Sequence, residues 1–332
     1  MAILMDTYGR QIDYLRISIT DRCNLRCVYC MPPQGIAWRP RAEILSIEEI
    51  VQVVQAAAVL GIHKVRLTGG EPLVRSGLIE LVERISQTHG IEEVSLTTNG
   101  ILLEKMARAL AEAGLTRVNI SLDTLNPTKF RRMTRHGDID RVWRGIEAAE
   151  RAGLTPIKLN TVVVKGVNDD ELIDLARLTL DRPWHVRFIE LMPVGNQAGW
   201  GAGFPPAAER YFSVQEMFNR LAQLELIAAE QTVGNGPART FRIPGAPGTI
   251  GFISPLGDHF CATCNRMRLT ADGYLRPCLL ADNEVAVREA VRAGQDLAPL
   301  IVEAVTQKPR GHTLLNEFAF PVQDRVMCQI GG

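Results

Sequence analysis

Seven cysteines are the residues of this sequence best equipped for chemistry, and six of them form two groups. Cys23, Cys27 and Cys30 have the spacing C-x3-C-x2-C. Cys261, Cys264 and Cys278 read C-x2-C-x13-C, and Cys328 stands alone, by default a free thiol with no role. A chain of 332 residues buries enough surface to fold without disulfides, so clustered thiols point to metal. Three thiolates on one short loop suit a 4Fe–4S cluster, which ordinarily takes four ligands. The missing ligand leaves one iron open to a small molecule, whereas a structural zinc site wants every place filled. The stretch from Thr20 to Cys27 offers no obvious fourth ligand. The second group has a competing reading, because His259, two residues before Cys261, would complete a Cys3His zinc site. Arg266 and Arg268 follow Cys264 closely and place two planar cations beside that metal, a chemistry suited to phosphate. The alternative for the two arginines taken alone is the exposed face of an alternating strand.

Cys23-Asn24-Leu25-Arg26-Cys27-Val28-Tyr29-Cys30 resembles the signature of radical S-adenosylmethionine (SAM) enzymes. Gly69-Gly70-Glu71-Pro72 resembles the GGEP segment of the same superfamily, whose backbone meets the methionine amino group. With the C-terminal C-x2-C-N-R-x-R and its distal cysteine, the combination resembles the family of molybdenum-cofactor GTP 3′,8-cyclases. The likeness runs from Leu15-Arg16-Ile17-Ser18 to the terminal Gly331-Gly332.

That resemblance implies two 4Fe–4S clusters, one on Cys23, Cys27 and Cys30 and one on Cys261, Cys264 and Cys278. It implies SAM contacts at Tyr29, Gly70, Ser121 and Met192, and GTP contacts at Arg16, Arg66, Thr97, Lys158, Arg266, Met267 and Arg268. Gly331 and Gly332 would form a catalytic tail reaching the active site. The implied reaction uses a 5′-deoxyadenosyl radical to take hydrogen from the ribose C3′ of GTP. The sugar radical then adds to C8 of guanine, giving (8S)-3′,8-cyclo-7,8-dihydro-GTP. Implied partners are a second copy in a homodimer, a low-potential flavodoxin- or ferredoxin-like electron donor, and cyclic pyranopterin monophosphate synthase as the next enzyme. Two other readings stay open. A radical SAM peptide maturase with an auxiliary cluster would typically carry more C-terminal cysteines. A zinc-stabilised nucleic-acid-binding module would need a basic surface.

Thirty-seven Lys and Arg balance 37 Asp and Glu, so no global field draws the chain to nucleic acid or membrane. No apolar run approaches the roughly 20 residues of a membrane span. Met1–Gln11 lacks the basic start and apolar stretch of an export signal, so a cytoplasmic protein is expected. A hydrophobic content of 46% with 22% charged residues is that of a globular protein and excludes extended disorder.

Elements to position these residues are legible in the periodicity. Strands are expected at Tyr14–Ile19, Lys64–Thr68, Glu93–Thr97, Arg117–Ser121, Ile157–Val162 and His185–Glu190. Helices are expected at Ser46–Leu60, Leu78–Thr88, Leu102–Ala113, Arg141–Ala152, Asp169–Leu180 and Val214–Leu224. Ser46 followed by Glu49 reads as a capping box. Six strand–helix units predict an α/β fold with an incomplete, open parallel barrel. The strands alternate: Leu15, Ile17, Val65 and Leu67 share one face, and Arg16, Arg66, Thr97, Ser121 and Lys158 share the other. A polar inner face with cations calls for an anionic ligand inside. Composition changes between about 200 and 240, which predicts a second, smaller α+β region. The expected division is 1–220 and 221–332, with strands at Arg239–Ile243 and Thr249–Ile253 and helices at Asp282–Ala293 and Leu297–Thr306.

Overall fold

The computed structural model describes residues 3–192, 194, 207–229, 236–257, 260–312 and 325–331. Strands and helices alternate first as β1 (Tyr14–Ser18), α1 (Ile47–Val59), β2 (Lys64–Thr68), α2 (Leu78–Ser86), β3 (Glu93–Thr98) and α3 (Leu103–Glu112). Next come β4 (Arg117–Ser121), α4 (Pro127–Thr134), α5 (Ile139–Arg151), β5 (Lys158–Val163), α6 (Leu172–Asp181) and β6 (His185–Glu190). The remainder holds α7 (Ala207–Arg210), α8 (Val214–Arg220), β7 (Ile227–Ala228), β8 (Arg239–Arg242), β9 (Thr249–Ile253) and β10 (Arg266–Leu269). It ends with β11 (Tyr274–Arg276), β12 (Val285–Ala286), α9 (Arg288–Arg292), α10 (Ala298–Thr306) and α11 (Met327–Ile330).

Local chemistry explains most of these boundaries. The Glu49 amide donates to the Ser46 hydroxyl at 3.2 Å and the Ser46 amide to the Glu49 carboxylate at 2.7 Å, the reciprocal cap expected at α1. Helix α4 was not anticipated. Asn126 opens it by accepting from the amides of Thr128 and Lys129 at 2.9 and 3.0 Å, and Pro127 occupies its first turn. The expected helix over 282–293 survives only as α9. Val285–Ala286 instead pairs antiparallel with Tyr274–Leu275, a ladder partner that periodicity cannot reveal.

All strands of the described residues lie in one sheet, ordered β12-β11-β10-β1-β2-β3-β4-β5-β6-β9-β8-β7. The six expected strands run parallel and in sequence from β1 to β6. Two strands of the C-terminal region join them, β10 parallel to β1 and β9 parallel to β6. The parallel array therefore has two strands more than the sequence reading counted. It remains open, since β12 and β7 occupy opposite ends of the strand order.

Leu15, Ile17, Val65, Leu67, Val94, Leu96, Val118, Ile120 and Leu159 are at most 2% exposed and pack into one core with the helices. Their counterparts are Val53 and Val54 of α1, Leu81 and Ile85 of α2, Leu103 and Leu110 of α3, and Val142 and Ile146 of α5. Each such side chain contributes about 1.5–3 kcal/mol by leaving water. That adhesion holds the polar face of the sheet rigid and turned inward.

Candidate active site

Register sets the charge inside the sheet. Arg16 of β1 stands between Arg66 of β2 and Arg268 of β10, each directly opposite it. Like charges side by side on neighbouring strands repel. Burial, then Arg268, pulls Arg16 well below the usual arginine range, and burial pulls Arg66 and Arg268 down to about 10 each. Arg66 is steadied by the Tyr14 ring 5.4 Å below its guanidinium and by a 3.3 Å donation to the Ser95 hydroxyl. An array of this kind is costly in the empty protein and suited to an anion.

The array lines a cavity of about 320 Å³. Along the strands its wall includes Arg16, Arg66, Thr97, Ser121, Asn160 and Arg187, with Arg266 and Arg268 from β10. Cys23, Cys27 and Cys30 follow the C-terminal end of β1 and enter the same cavity. Cys261 and Cys264 precede the N-terminal end of β10, which pairs in parallel with β1, and Cys278 joins them. The two thiol groups thus face each other along the strand direction. Between them runs β1, whose five residues span about 13 Å as four steps of about 3.3 Å.

The first group is anchored by the GGEP segment. The Gly70 amide donates to the Thr20 carbonyl at 2.7 Å and the Glu71 amide to the Arg22 carbonyl at 2.8 Å, so the segment grips the start of the cysteine loop. A Cβ on Gly69 would lie 2.5 Å from the Thr20 oxygen, and one on Gly70 2.3 Å from the Arg22 oxygen, so this approach requires glycine at both positions. The buried Glu71 carboxylate accepts from the Thr98 hydroxyl and the amides of Leu73 and Asn99 at 2.7–3.0 Å. Burial nonetheless pushes it up to about 7. The Tyr29 hydroxyl donates to Asp123 at 2.6 Å, and Asp123 accepts from the Val162 amide at 2.9 Å; burial pushes this carboxyl up to about 6. Cys328 of α11 lies against Cys30: their sulfur contact lowers Cys30 and raises Cys328.

Burial pushes the Cys23 thiol up to about 12 and also holds Cys27 well above the ordinary thiol range. At the second group burial also opposes ionisation of Cys264, but the Lys308 ammonium and Arg266 outweigh it and pull the thiol down. Among the described residues no three His, Cys, Asp or Glu converge closely enough to hold a single metal ion. Two trios of thiols with wider spacing, opening on a common cavity, fit a cluster that brings its own sulfide. His259 lies outside the described residues, as does Gly332.

Most expected site residues therefore meet in one place. Tyr29, Gly70, Ser121 and Met192 line the cavity together with Arg16, Arg66, Thr97, Arg266 and Arg268. The Thr97 hydroxyl has no hydrogen-bond partner among the described residues. Two expectations land elsewhere. Met267 points to the opposite face of β10 and is packed in the core, leaving only its backbone near a ligand. Lys158 is buried but does not line the cavity; burial, with Arg187 and Arg117, pulls it down to about 6. Gly331 is seated between Ser18 and Thr68, and its carbonyl accepts from Arg268, as does that of Ile330 at 3.4 Å. A Cβ there would meet the Thr68 methyl at 2.8 Å.

Arg187 was missed by the sequence reading. It sits on β6 two residues from His185 and Ile189, lines the cavity, and leaves Nε and Nη2 without partners among the described residues. Continuing the alternation argument one strand further would have found it. Lys308 and Arg10, which sit beside the second trio, belong to no motif.

The open parallel sheet with a cysteine loop at the end of β1 is that of the radical SAM superfamily, whose family model matches residues 17–179. A second model, Molybdenum Cofactor Synthesis C, matches residues 184–314. Over 333 residues the chain is 50% identical to the GTP 3′,8-cyclase of Pelotomaculum thermopropionicum, covering 99% of this chain and all of that one. Identity to the GTP 3′,8-cyclase of Moorella thermoacetica is also 50%, over 332 residues with the same coverage. The chain belongs to the GTP 3′,8-cyclase family. Among solved structures, Streptococcus suis SuiB bound to S-adenosylmethionine superposes with a TM-score of 0.63 over 96% of this chain and 78% of its own. The protein anSMEcpe with bound AdoMet gives 0.54 over 82% and 74%. At 14% and 16% identity these two share the fold. No helix among the described residues is long and apolar enough to cross a membrane.

Proposed function

We infer that the cavity between the two thiol groups is where this chain, a radical SAM enzyme and GTP 3′,8-cyclase of molybdenum-cofactor biosynthesis, binds and cyclises GTP. The observation that carries the reading is the pairing of two cysteine trios across one cavity lined by Arg16, Arg66, Arg187, Arg266 and Arg268. A triphosphate neutralises several cations at once, and buried guanidiniums supply bidentate, charge-assisted donors to it. Cys23, Cys27 and Cys30 would hold the SAM-binding 4Fe–4S cluster, with Tyr29, Gly70, Ser121 and Met192 around SAM. Cys261, Cys264 and Cys278 would hold a second cluster facing the guanine. When bound, the first cluster and SAM supply the 5′-deoxyadenosyl radical that takes hydrogen from C3′ of the ribose. The chain's part is to fix the nucleotide between its two ends: Thr97 offers a hydroxyl on the polar face, and the arginines hold the phosphates. Gly331, tied to Arg268, brings the tail to the edge of the same space.

In this division residues 1–220 carry the SAM centre, and 221–332 carry the second trio, the paired arginines and the tail. A homodimer, a flavodoxin- or ferredoxin-like reductant, cyclic pyranopterin monophosphate synthase as successor and a cytoplasmic setting complete the proposal. The cyclase reading is favoured over a peptide maturase by the two full-length cyclase relatives. Anaerobically reconstituted protein with SAM, GTP and a strong reductant should yield 5′-deoxyadenosine and a cyclised nucleotide. It should also hold about eight irons with matching sulfide, as two clusters require. About four irons, or zinc at the second group, would remove the second cluster from the account.

A further inference from the structure

The second cysteine trio is assembled from distant pieces of chain. Cys261 and Cys264 lie on one turn, and Cys278 comes 14 residues later, after β10 and β11. Two thiolates and a third on a separate segment do not hold together by themselves, because they repel. Lys308, just beyond α10, supplies what is missing. It is 3% exposed, and its ammonium donates to the Arg266 carbonyl at 2.8 Å and to the Pro277 carbonyl at 2.7 Å. Two of the three ammonium protons thereby have carbonyl acceptors, one on each thiol-bearing segment. Its charge also acts on the nearby Cys264 thiol and pulls it down. Arg266 is two residues after Cys264 and Pro277 immediately precedes Cys278, so one buried cation ties both thiol-bearing segments together.

The segment that carries Lys308 is itself fastened across the trio. Arg10 donates to the Cys261 carbonyl at 2.7 Å, to the Pro309 carbonyl at 2.7 Å and to the Arg310 carbonyl at 3.2 Å. Asp6 in turn holds Arg10 through its side chain and its amide. Residues 308–312 thus lie against the thiols with a cation at each side.

We propose that Lys308 is the positioning residue of the second thiol centre, clamping Cys264 to Cys278 and supplying the positive charge that favours the more reduced state of the cluster bound there. The proposal rests on the reading that this trio holds a 4Fe–4S cluster. Such a cluster with three thiolates is anionic and gains a further negative charge on reduction, so an adjacent buried ammonium favours the reduced form. No electron is supplied by the lysine; its part is electrostatic and geometric.

The test reconstitutes wild type, Lys308→Met, Lys308→Arg and Lys308→Gln anaerobically, with iron and sulfide counts, electron paramagnetic resonance, thermal melting and the midpoint potential of each centre. Wild type with about eight irons upholds the underlying reading, and wild type with about four overturns both it and the proposal. Lys308→Met should keep about half the iron, with the signal and SAM response of the first centre unchanged, and Lys308→Arg should restore the second centre. Full loading of Lys308→Met at an unchanged potential would overturn the proposal. Should Lys308→Met fail to fold, Lys308→Gln keeps two donors for the carbonyls without the charge. It should load both centres with a more negative potential at the second alone. An unmoved potential there would sink the electrostatic role.

Discussion

Replacing Arg187 with methionine should make the empty protein more stable and its nucleotide binding much weaker. Arg187 is 7% exposed, faces Arg66 and Arg117, and has two nitrogens without partners among the described residues. Burial first, and those arginines next, pull it from its ordinary range above about 12 down to about 9, a penalty of roughly 4–5 kcal/mol on the charged form. It stays protonated at neutral pH, so the folded protein bears that cost. Water in the cavity screens part of it, and two unsatisfied buried donors at about 1–3 kcal/mol each bound the remainder. Methionine keeps most of the packing volume. The variant should therefore gain about 2 kcal/mol, or roughly 3 °C in melting temperature for a chain of this length.

With GTP the sign reverses. Two charge-assisted hydrogen bonds to phosphate contribute about 1.5–3 kcal/mol each, and their loss should weaken GTP roughly 100-fold even if neighbours compensate in part. SAM binding should change less than threefold. The assay is anaerobic scanning fluorimetry of ligand-free protein beside equilibrium dialysis with labelled GTP and SAM. A variant that melts lower than wild type while binding GTP normally would refute the reasoning, because Arg187 would then be a structural cation.

Lys158 sits at about 6 in the folded chain against about 10.5 unfolded. Between those values the unfolded chain binds more protons, so stability should rise with pH across that window, and Lys158→Met should flatten the rise in urea titrations. If GTP restores the lysine's charge, binding at pH 8 takes up a proton, seen as a calorimetric enthalpy that varies with buffer; buffer-independent heat would count against it. Arg325 anchors the C-terminal segment, with two 3.0 Å bonds to Asp272 and one of 2.8 Å to Glu284. Arg325→Ala should free Gly331 and lower kcat at least tenfold while GTP affinity stays within threefold, with faster amide exchange over 326–331. Cys27→Ala should abolish SAM cleavage, whereas Cys264→Ala should reduce GTP turnover more than basal SAM cleavage; equal losses from both would erase the division of labour between the trios.

The inner face of the barrel was readable because parallel strands seldom alternate unless one face meets something polar. Arg16, Arg66, Thr97 and Ser121 followed from a period of two, and the structure lines the cavity with all four. What periodicity could not supply was strand order. That β10 lies beside β1, and so brings Arg268 opposite Arg16, depends on a pairing across 250 residues of chain. The same long-range placement hid the contact of Cys328 with Cys30 and the grip of Lys308 on the second trio. Met267 shows the converse: a motif places it between two arginines, yet alternation turns its side chain to the core.

The open edge and the interior charge are linked by one energetic argument. A closed barrel of this strand number fills its interior with apolar side chains. Here the interior carries Arg16, Arg66 and Arg187, and Asn119 is fully buried with both polar side-chain atoms unpartnered among the described residues. The crowding of like charges and the open groups of Arg187 and Asn119 subtract from stability until an anion arrives, and whatever binds only the folded state returns that stability by mass action. Folding of the inner wall and recognition of the nucleotide therefore draw on the same charges. Substitutions that calm the empty barrel should, as a class, weaken its ligand, whereas substitutions on the helix-packed face, such as Leu67→Ala, should lower stability with and without GTP alike.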